Sequence, residues 1–138
     1  MLNTRTRVVL GVSGGIAAYK AAELCRALVS EGFDVQAVLT RGAREFVSPL
    51  TFAVLSGKEV LTEVWGDGNR PAVEHVRLAD RSDLLIVAPA TAHTMAKLAN
   101  GFADDFLSTY FLSHRGPVLL APAMETAISR IGPREKIV

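Results

Sequence analysis

The chain has 138 residues, a length that suits one domain with a single hydrophobic core. Hydrophobic residues make up 49% of it and charged residues 21%, a balance that excludes disorder as a description of the whole chain. The net charge is +1 and no basic block occurs, which argues against nucleic acid or an anionic membrane as a partner.

Strands and helices are predicted to alternate along the chain, because apolar β-branched runs alternate with apolar residues at helical spacing. The predicted strands cover 7–12, 34–40, 83–88 and 117–123, with a strand or extended loop at 58–65. The predicted helices cover 16–31, 41–48, 49–57, 91–100 and 103–113. Pro89 is expected to end the third strand, and no element is predicted between the loop at 66–72 and that strand. Uniformly apolar strands between helices indicate an α/β fold whose parallel sheet is covered on both faces.

The single cysteine, Cys25, excludes an intramolecular disulfide and leaves no cysteine spacing typical of a metal site. It lies on the apolar face of the first predicted helix, where a free cysteine is usually a small buried hydrophobe. The opening residues lack the pattern of a signal segment, and no apolar stretch is long enough to span a bilayer. The sequence therefore predicts a cytoplasmic protein without a metal or a membrane partner.

Small and polar residues follow the predicted strands, at the edge where parallel sheets bind ligands. The run "SGG" at 13–15 joins a strand to a helix, where glycine N–H groups and the helix dipole favour an anion and Ser13 is expected to donate a hydrogen bond. A tight turn without a ligand is the alternative. Thr40 stands where a dinucleotide fold has an acid, which favours a mononucleotide phosphate over NAD. Thr91 and Thr94 begin a helix, where their hydroxyls either cap N–H groups or face a ligand.

Five segments in chain order carry a resemblance to a known family: "GVSGGIAAYKAAEL", "SPLTFAVLSG", "EHVRLAD", "LLIVAPATAHTMAKLANGFADDFLST" and "PVLLAPAM". Together they resemble the homo-oligomeric flavin-containing cysteine decarboxylases, which include phosphopantothenoylcysteine decarboxylase and the peptidyl-cysteine decarboxylases. The resemblance runs from about Val8 to Met124. It implies a flavodoxin-like or Rossmann-like three-layer sandwich, with residues 1–138 as one FMN-binding domain. It also implies a homotrimer or dodecamer with FMN at the subunit contacts.

The resemblance also implies which residues bind FMN. The phosphate end is assigned to the strand–helix turn and to the residue after the second strand, and the flavin packs on the next turn. These residues are Ser13, Gly14, Gly15, Ile16 and Thr40, then Thr91, Ala92, His93 and Thr94, with Met124 at the flavin edge. Family members commonly have asparagine where this chain has His93.

His75 matches the family's His-Ile/Val-x-Leu motif, whose histidine is the catalytic base and comes from a neighbouring subunit. Without the resemblance, a lone histidine after a glycine-rich loop predicts a surface residue. The implied role is removal of a cysteine thiol proton, after which FMN oxidises the thiolate to a thioaldehyde that loses CO2 easily. His114 matches no motif and is expected to be solvated.

The resemblance weakens after Met124. The family motif Pro-x-Met-Asn-x-x-Met-Trp begins at Pro122, but Glu125 replaces the asparagine that holds the substrate carboxylate, and the Met-Trp half is absent. An ionised Glu125 would repel a carboxylate, so substrate binding does not carry over to it. No cysteine follows Met124, although phosphopantothenoylcysteine decarboxylases use a later one. The substrate clamp is expected to be shortened or missing after about residue 126.

These departures rank the functions that the resemblance implies. The leading prediction is an FMN-dependent oxidative decarboxylase that converts the C-terminal cysteine of a peptide to an aminoenethiol. The alternative is phosphopantothenoylcysteine decarboxylase of coenzyme A biosynthesis. Two further alternatives are a flavin prenyltransferase-like enzyme, which the Met-Glu-Thr run echoes, and a non-catalytic FMN-binding regulatory subunit.

Overall fold

The computed structural model describes residues 5–62 and 74–124. In these ranges four strands form one parallel sheet in the order β2-β1-β3-β4, namely β1 Arg7–Val12, β2 Asp34–Leu39, β3 Leu84–Ala90 and β4 Val118–Pro122. The helices are α1 Ala18–Ser30, α2 Pro49–Ser56, α3 Glu74–Arg81, α4 Ala92–Ala99 and α5 Phe106–Ser113, with a 3-10 turn at Ala43–Glu45. This strand order is that of the flavodoxin-like fold, so the predicted fold class is confirmed.

Alternate residues of the central strand β1 point to opposite faces of the sheet and enter two separate hydrophobic clusters. Val8 and Leu10 belong to the cluster that α1 and α2 cover, which also holds the fully buried Cys25. Val9 belongs to the other cluster, with Leu98 of α4 and residues of α3 and α5. The period of two along a strand therefore explains the three-layer arrangement of helices around the sheet.

The structure contains one helix that was not predicted, and its third strand runs further than predicted. Residues 74–81 form α3, although no helix was predicted there, because eight residues beside a loop are fewer than the roughly 11–18 over which helical spacing is read. The prediction that Pro89 ends the third strand is wrong, since β3 continues through it to Ala90. The ladder between β3 and β4 is irregular between Val87 and Ala90, which is where a residue without an N–H group is tolerated in a strand.

His114 is a structural residue, and the expectation that it is solvated is wrong. Its Nδ1 lies 2.9 Å from the Tyr110 hydroxyl and its Nε2 lies 3.0 Å from the Pro117 carbonyl oxygen. The Tyr110 hydroxyl in turn lies 2.7 Å from Oγ of Ser82. Burial raises the pKa of Tyr110 to about 12, although the hydrogen bond with Ser82 opposes the shift. This chain of contacts joins the end of α5 to the segments that lead into β3 and β4.

Asp105 joins α4 to α5 and caps the latter. Its side chain accepts a hydrogen bond from the Ser108 N–H at 2.7 Å and another from Nζ of Lys97 at 2.8 Å. Burial by itself would raise the pKa of Asp105, but the hydrogen bonds from Lys97 and Ser108 outweigh it and lower the pKa. The ionised carboxylate is therefore the form that stabilises this contact between α4 and α5.

Replacing Asp105 with asparagine is expected to change how stability depends on pH. A carboxyl whose pKa is lowered by folding stabilises the protein above its unfolded pKa of about 4, and this contribution disappears as the pH falls through the folded value. The difference in unfolding free energy between wild type and Asp105→Asn should thus be constant at neutral pH and shrink below about pH 4. Urea denaturation across this range measures it. Asp104→Asn is the control, since Asp104 also contacts Lys97 but its side chain is 61% exposed.

Among residues 5–62 and 74–124, no helix is both long and apolar enough to cross a membrane. The longest of them, α1, has 13 residues.

Candidate functional site

A cavity of about 570 Å³ lies at the carboxyl ends of β1, β3 and β4, where open parallel sheets bind ligands. Its walls come from three segments of the chain that follow these strands: Gly14, Gly15, Ile16 and Ala17; Thr91, Ala92 and His93; and Ala123 and Met124. The volume is in the range of small-molecule and cofactor sites. Seven of the predicted cofactor-binding residues thus lie together, and Ala17 and Ala123 are walls that the sequence analysis did not single out.

The wall at the start of α1 presents unpaired backbone donors. Ala17 is the N-cap of α1 and no side chain caps this end, whereas Ser48, Thr91 and Asp105 cap α2, α4 and α5. Within the described residues, the N–H groups of 14–17 have no acceptor. Free N–H groups at the positive end of a helix dipole favour an anion such as a phosphate. The strand–helix turn therefore has free N–H donors of the kind that the sequence predicted for anion binding.

The hydroxyls of Ser13 and Thr91 make hydrogen bonds inside the protein, and Thr94 is buried. Ser13 is fully buried and its hydroxyl donates to the Pro89 carbonyl oxygen at 2.5 Å. Its single hydrogen is therefore not free for the ligand that the sequence analysis expected. The Thr91 hydroxyl accepts a hydrogen bond from the Thr94 N–H at 3.2 Å, so the capping alternative holds for Thr91. Thr94 itself is buried and is not part of the cavity wall.

Thr40 lies beside the cavity rather than in its wall. Its hydroxyl accepts a hydrogen bond from the Ala43 N–H at 3.1 Å, which leaves its hydrogen for another acceptor. The turn that contains Thr40 contacts the turn after β1 through two glycines, since a Cβ added to Gly14 would lie 2.6 Å from the carbonyl carbon of Gly42. Gly14 thus serves close backbone packing in addition to lining the cavity. Gly42 was not predicted, although a glycine two residues after a strand end is a signal for such a contact.

His75 lies near the start of α3, on the face of the sheet opposite α1, and is not among the residues that line the cavity. Its Nδ1 is buried and has no hydrogen-bond partner among the described residues. Buried polar atoms without a partner are rare in folded proteins and often mark a functional group. In a single chain the structure therefore does not bring His75 together with the cavity residues. Glu125 and the expected clamp region lie outside the described residues.

A second cavity, of about 420 Å³, lies near the amino ends of β1 and β2. Four of its charged side chains form ion pairs. Lys58 pairs with Asp34, and a guanidinium nitrogen of Arg81 lies 3.5 Å from a carboxylate oxygen of Glu74. Arg7 also donates to the Arg81 carbonyl oxygen at 3.3 Å. Ligands of parallel sheets bind at the opposite edge, so the cavity beside α1 is the candidate functional site.

Comparison with known proteins gives matches over nearly the whole chain. A family model described as Flavoprotein matches residues 2–130. The coenzyme A biosynthesis bifunctional protein CoaBC of Bacillus subtilis is 52% identical over 124 residues, which is 90% of this chain and 30% of that protein. The chain thus spans about a third of the length of the curated relatives that it matches.

Solved structures agree with the same family. The FMN-dependent cysteine decarboxylase TvaF from thioviridamide biosynthesis has a TM-score of 0.87 at 30% identity, covering 96% of this chain and 82% of that one. A PPC decarboxylase mutant complexed with pantothenoylaminoethenethiol has a TM-score of 0.79 at 30% identity, covering 96% and 75%. The predicted family resemblance is confirmed, and a flavin is the cofactor class typical of that family.

Proposed function

The chain belongs to the flavoprotein family, and within it to the group of the flavin-dependent cysteine decarboxylases, and on this premise we propose that it binds FMN and decarboxylates phosphopantothenoylcysteine. The observation that carries the FMN proposal is the uncapped start of α1, where residues 14–17 line the cavity and their N–H groups have no acceptor within the described residues. These groups fit a phosphate, and the predominantly apolar remainder of the wall fits a flavin ring.

The choice of substrate rests on the relatives. The B. subtilis relative, a coenzyme A biosynthesis protein, is 52% identical, whereas the decarboxylase TvaF is 30% identical. This difference supports the alternative from the sequence analysis better than the peptide substrate that ranked first there. The structure does not test the argument from Glu125 or from a later cysteine, because the described residues end at residue 124.

In the proposed reaction the residues of this chain have separate tasks. The amides of 14–17 would hold the FMN phosphate, and Ile16, Ala92 and Met124 would present apolar surface to the ring. His75, supplied by a neighbouring subunit, would take the proton of the substrate thiol as a neutral imidazole. When bound, FMN would supply a two-electron acceptor for oxidation of the cysteine side chain, which eases the loss of CO2, and would return the two electrons to the decarboxylated product.

The assembly is part of this proposal, because His75 lies outside the cavity wall of its own chain. Exposed apolar side chains support an assembly of several chains. Leu50 and Val54, on one face of α2, are 72% and 73% exposed. Ile16, at the cavity itself, is 83% exposed. Exposed apolar surface of this kind marks protein contacts. We propose a homotrimer, alone or within a dodecamer, and native mass spectrometry of the purified protein measures it.

The substrate proposal is tested with the purified, FMN-loaded protein and two substrates offered separately, phosphopantothenoylcysteine and a peptide that ends in cysteine. With the former we expect a product that has lost CO2 alone, and bleaching of the flavin absorbance that is only transient, because the flavin must return its two electrons to that product. Turnover of the peptide alone, with loss of CO2 and two hydrogen atoms, would restore the peptide decarboxylase. Flavin binding without turnover of either would favour the regulatory subunit, and absence of bound flavin would contradict the proposal itself.

A further inference from the structure

Ser13 is a fully buried serine at the point where β1 ends, and it contacts a turn 76 residues away in the chain. Its hydroxyl donates to the Pro89 carbonyl oxygen at 2.5 Å and accepts from the Thr91 N–H at 3.0 Å. The Ser13 N–H donates to the same Pro89 oxygen at 3.3 Å. One side chain therefore makes a donor contact and an acceptor contact with the segment that leads from β3 into α4.

The two segments that Ser13 joins both line the cavity. Residues 14–17, which directly follow Ser13, present the free N–H groups at the start of α1. Thr91 is the N-cap of α4, and Ala92 and His93 continue the other wall. Among the described residues three hydrogen bonds link these two turns, and the Ser13 hydroxyl makes two of them while the Ser13 N–H makes the third.

We propose that Ser13 is a positioning residue, whose hydroxyl sets the spacing between the starts of α1 and α4 and so adapts the cavity to the flavin without contacting it. The inference rests on the proposed binding of FMN in this cavity. It replaces the expectation that Ser13 donates to the ligand, since the only hydroxyl hydrogen is already bound to Pro89. Alanine at this position would leave the Thr91 N–H without its acceptor and free the α4 wall to shift.

Ser108 offers a matched control. It is also a buried serine with a donor and an acceptor contact, since its hydroxyl donates to the Asp105 carboxylate at 2.5 Å and accepts from the Asp105 N–H at 3.3 Å. These contacts lie at the start of α5 and not in the cavity wall. Ser108→Ala therefore removes comparable hydrogen bonds at a site that does not shape the cavity.

The experiment compares wild type, Ser13→Ala and Ser108→Ala in two measurements. The first is the dissociation constant of FMN from fluorescence titration, and the second is the hydrogen-exchange rate of the Thr91 amide in protein freed of flavin. For Ser13→Ala we expect the dissociation constant to rise about tenfold or more and the Thr91 amide to exchange faster. Ser108→Ala should change neither, although both variants are expected to melt at a lower temperature than wild type.

Three outcomes would overturn the inference: Ser13→Ala binds FMN as tightly as wild type, its Thr91 amide keeps its protection, or Ser108→Ala weakens FMN binding equally. If wild type binds no FMN, the proposed function fails and this inference fails with it; the amide exchange then reports only whether Ser13 holds Thr91. Should Ser13→Ala not fold, Ser13→Cys keeps a donor and an acceptor at this position on a larger atom that forms weaker hydrogen bonds, and it is expected to raise the dissociation constant as well.

Discussion

Replacing His75 with alanine is expected to lower the decarboxylation rate by about 100-fold to 10,000-fold while leaving FMN bound, which is the range that a general base contributes. A cysteine thiol has a pKa of about 8.5, so only a few per cent of it is ionised at neutral pH without a base nearby. FMN binding should be unaffected, because the residues that line the cavity and the free N–H groups of 14–17 are unchanged. The measurement is product formation under saturating FMN, with flavin absorbance as the check on loading.

The control for this variant is Asp80→Asn, a change on the same helix at an exposed position. It should retain wild-type turnover if the effect of His75→Ala belongs to the imidazole and not to α3. The residual rate of His75→Ala should also rise with pH as the substrate thiol ionises by itself. A His75→Ala enzyme that keeps more than about a tenth of the wild-type rate would remove His75 from the reaction.

Replacing Gly14 with alanine is expected to destabilise the protein by about 1–3 kcal/mol and to abolish high-affinity FMN binding. The added Cβ would lie 2.6 Å from the carbonyl carbon of Gly42, 2.8 Å from its oxygen and 2.9 Å from its Cα. All three are backbone atoms, so the contact is relieved only if the turn after β1 moves away from the turn after β2. Thermal unfolding of the flavin-free protein measures the stability, and FMN titration measures the binding.

Gly15 and Gly42 provide controls for the same substitution. A Cβ added to Gly15 would meet only Cγ2 of Thr91, at 3.6 Å, and one added to Gly42 would lie 3.5 Å from Cα of Gly14. Both are ordinary contact distances, so Gly15→Ala and Gly42→Ala should change the unfolding free energy by less than about 0.5 kcal/mol. None of the three glycines has a positive φ, so a loss confined to Gly14→Ala would reflect steric contact. Equal losses in all three would contradict this account.

The missed helix α3 and the contacts of His114 are two features that could not be predicted from the sequence. α3 is clearly amphipathic, but it was missed because it has only eight residues and follows a loop rich in turn-forming residues. His114 looked like a solvated residue because its partners, Tyr110 and the Pro117 carbonyl, depend on how α5 packs against the start of β4. Hydrogen bonds of this kind have no periodic signature, so they emerge only from the folded chain.

The sequence by itself determined the alternation of strands and helices, the parallel sheet and the edge of the sheet at which the candidate site lies. Apolar runs and helical spacing are local properties, and the carboxyl ends of parallel strands necessarily meet at one edge. Only the tertiary structure decided what each residue at that edge does. Ser13 reaches Pro89 and Thr91, and Gly14 reaches Gly42, across separations that no local pattern encodes. Ser13 thus holds two segments of the cavity wall together, and Gly14 packs against Gly42 while it also lines the cavity.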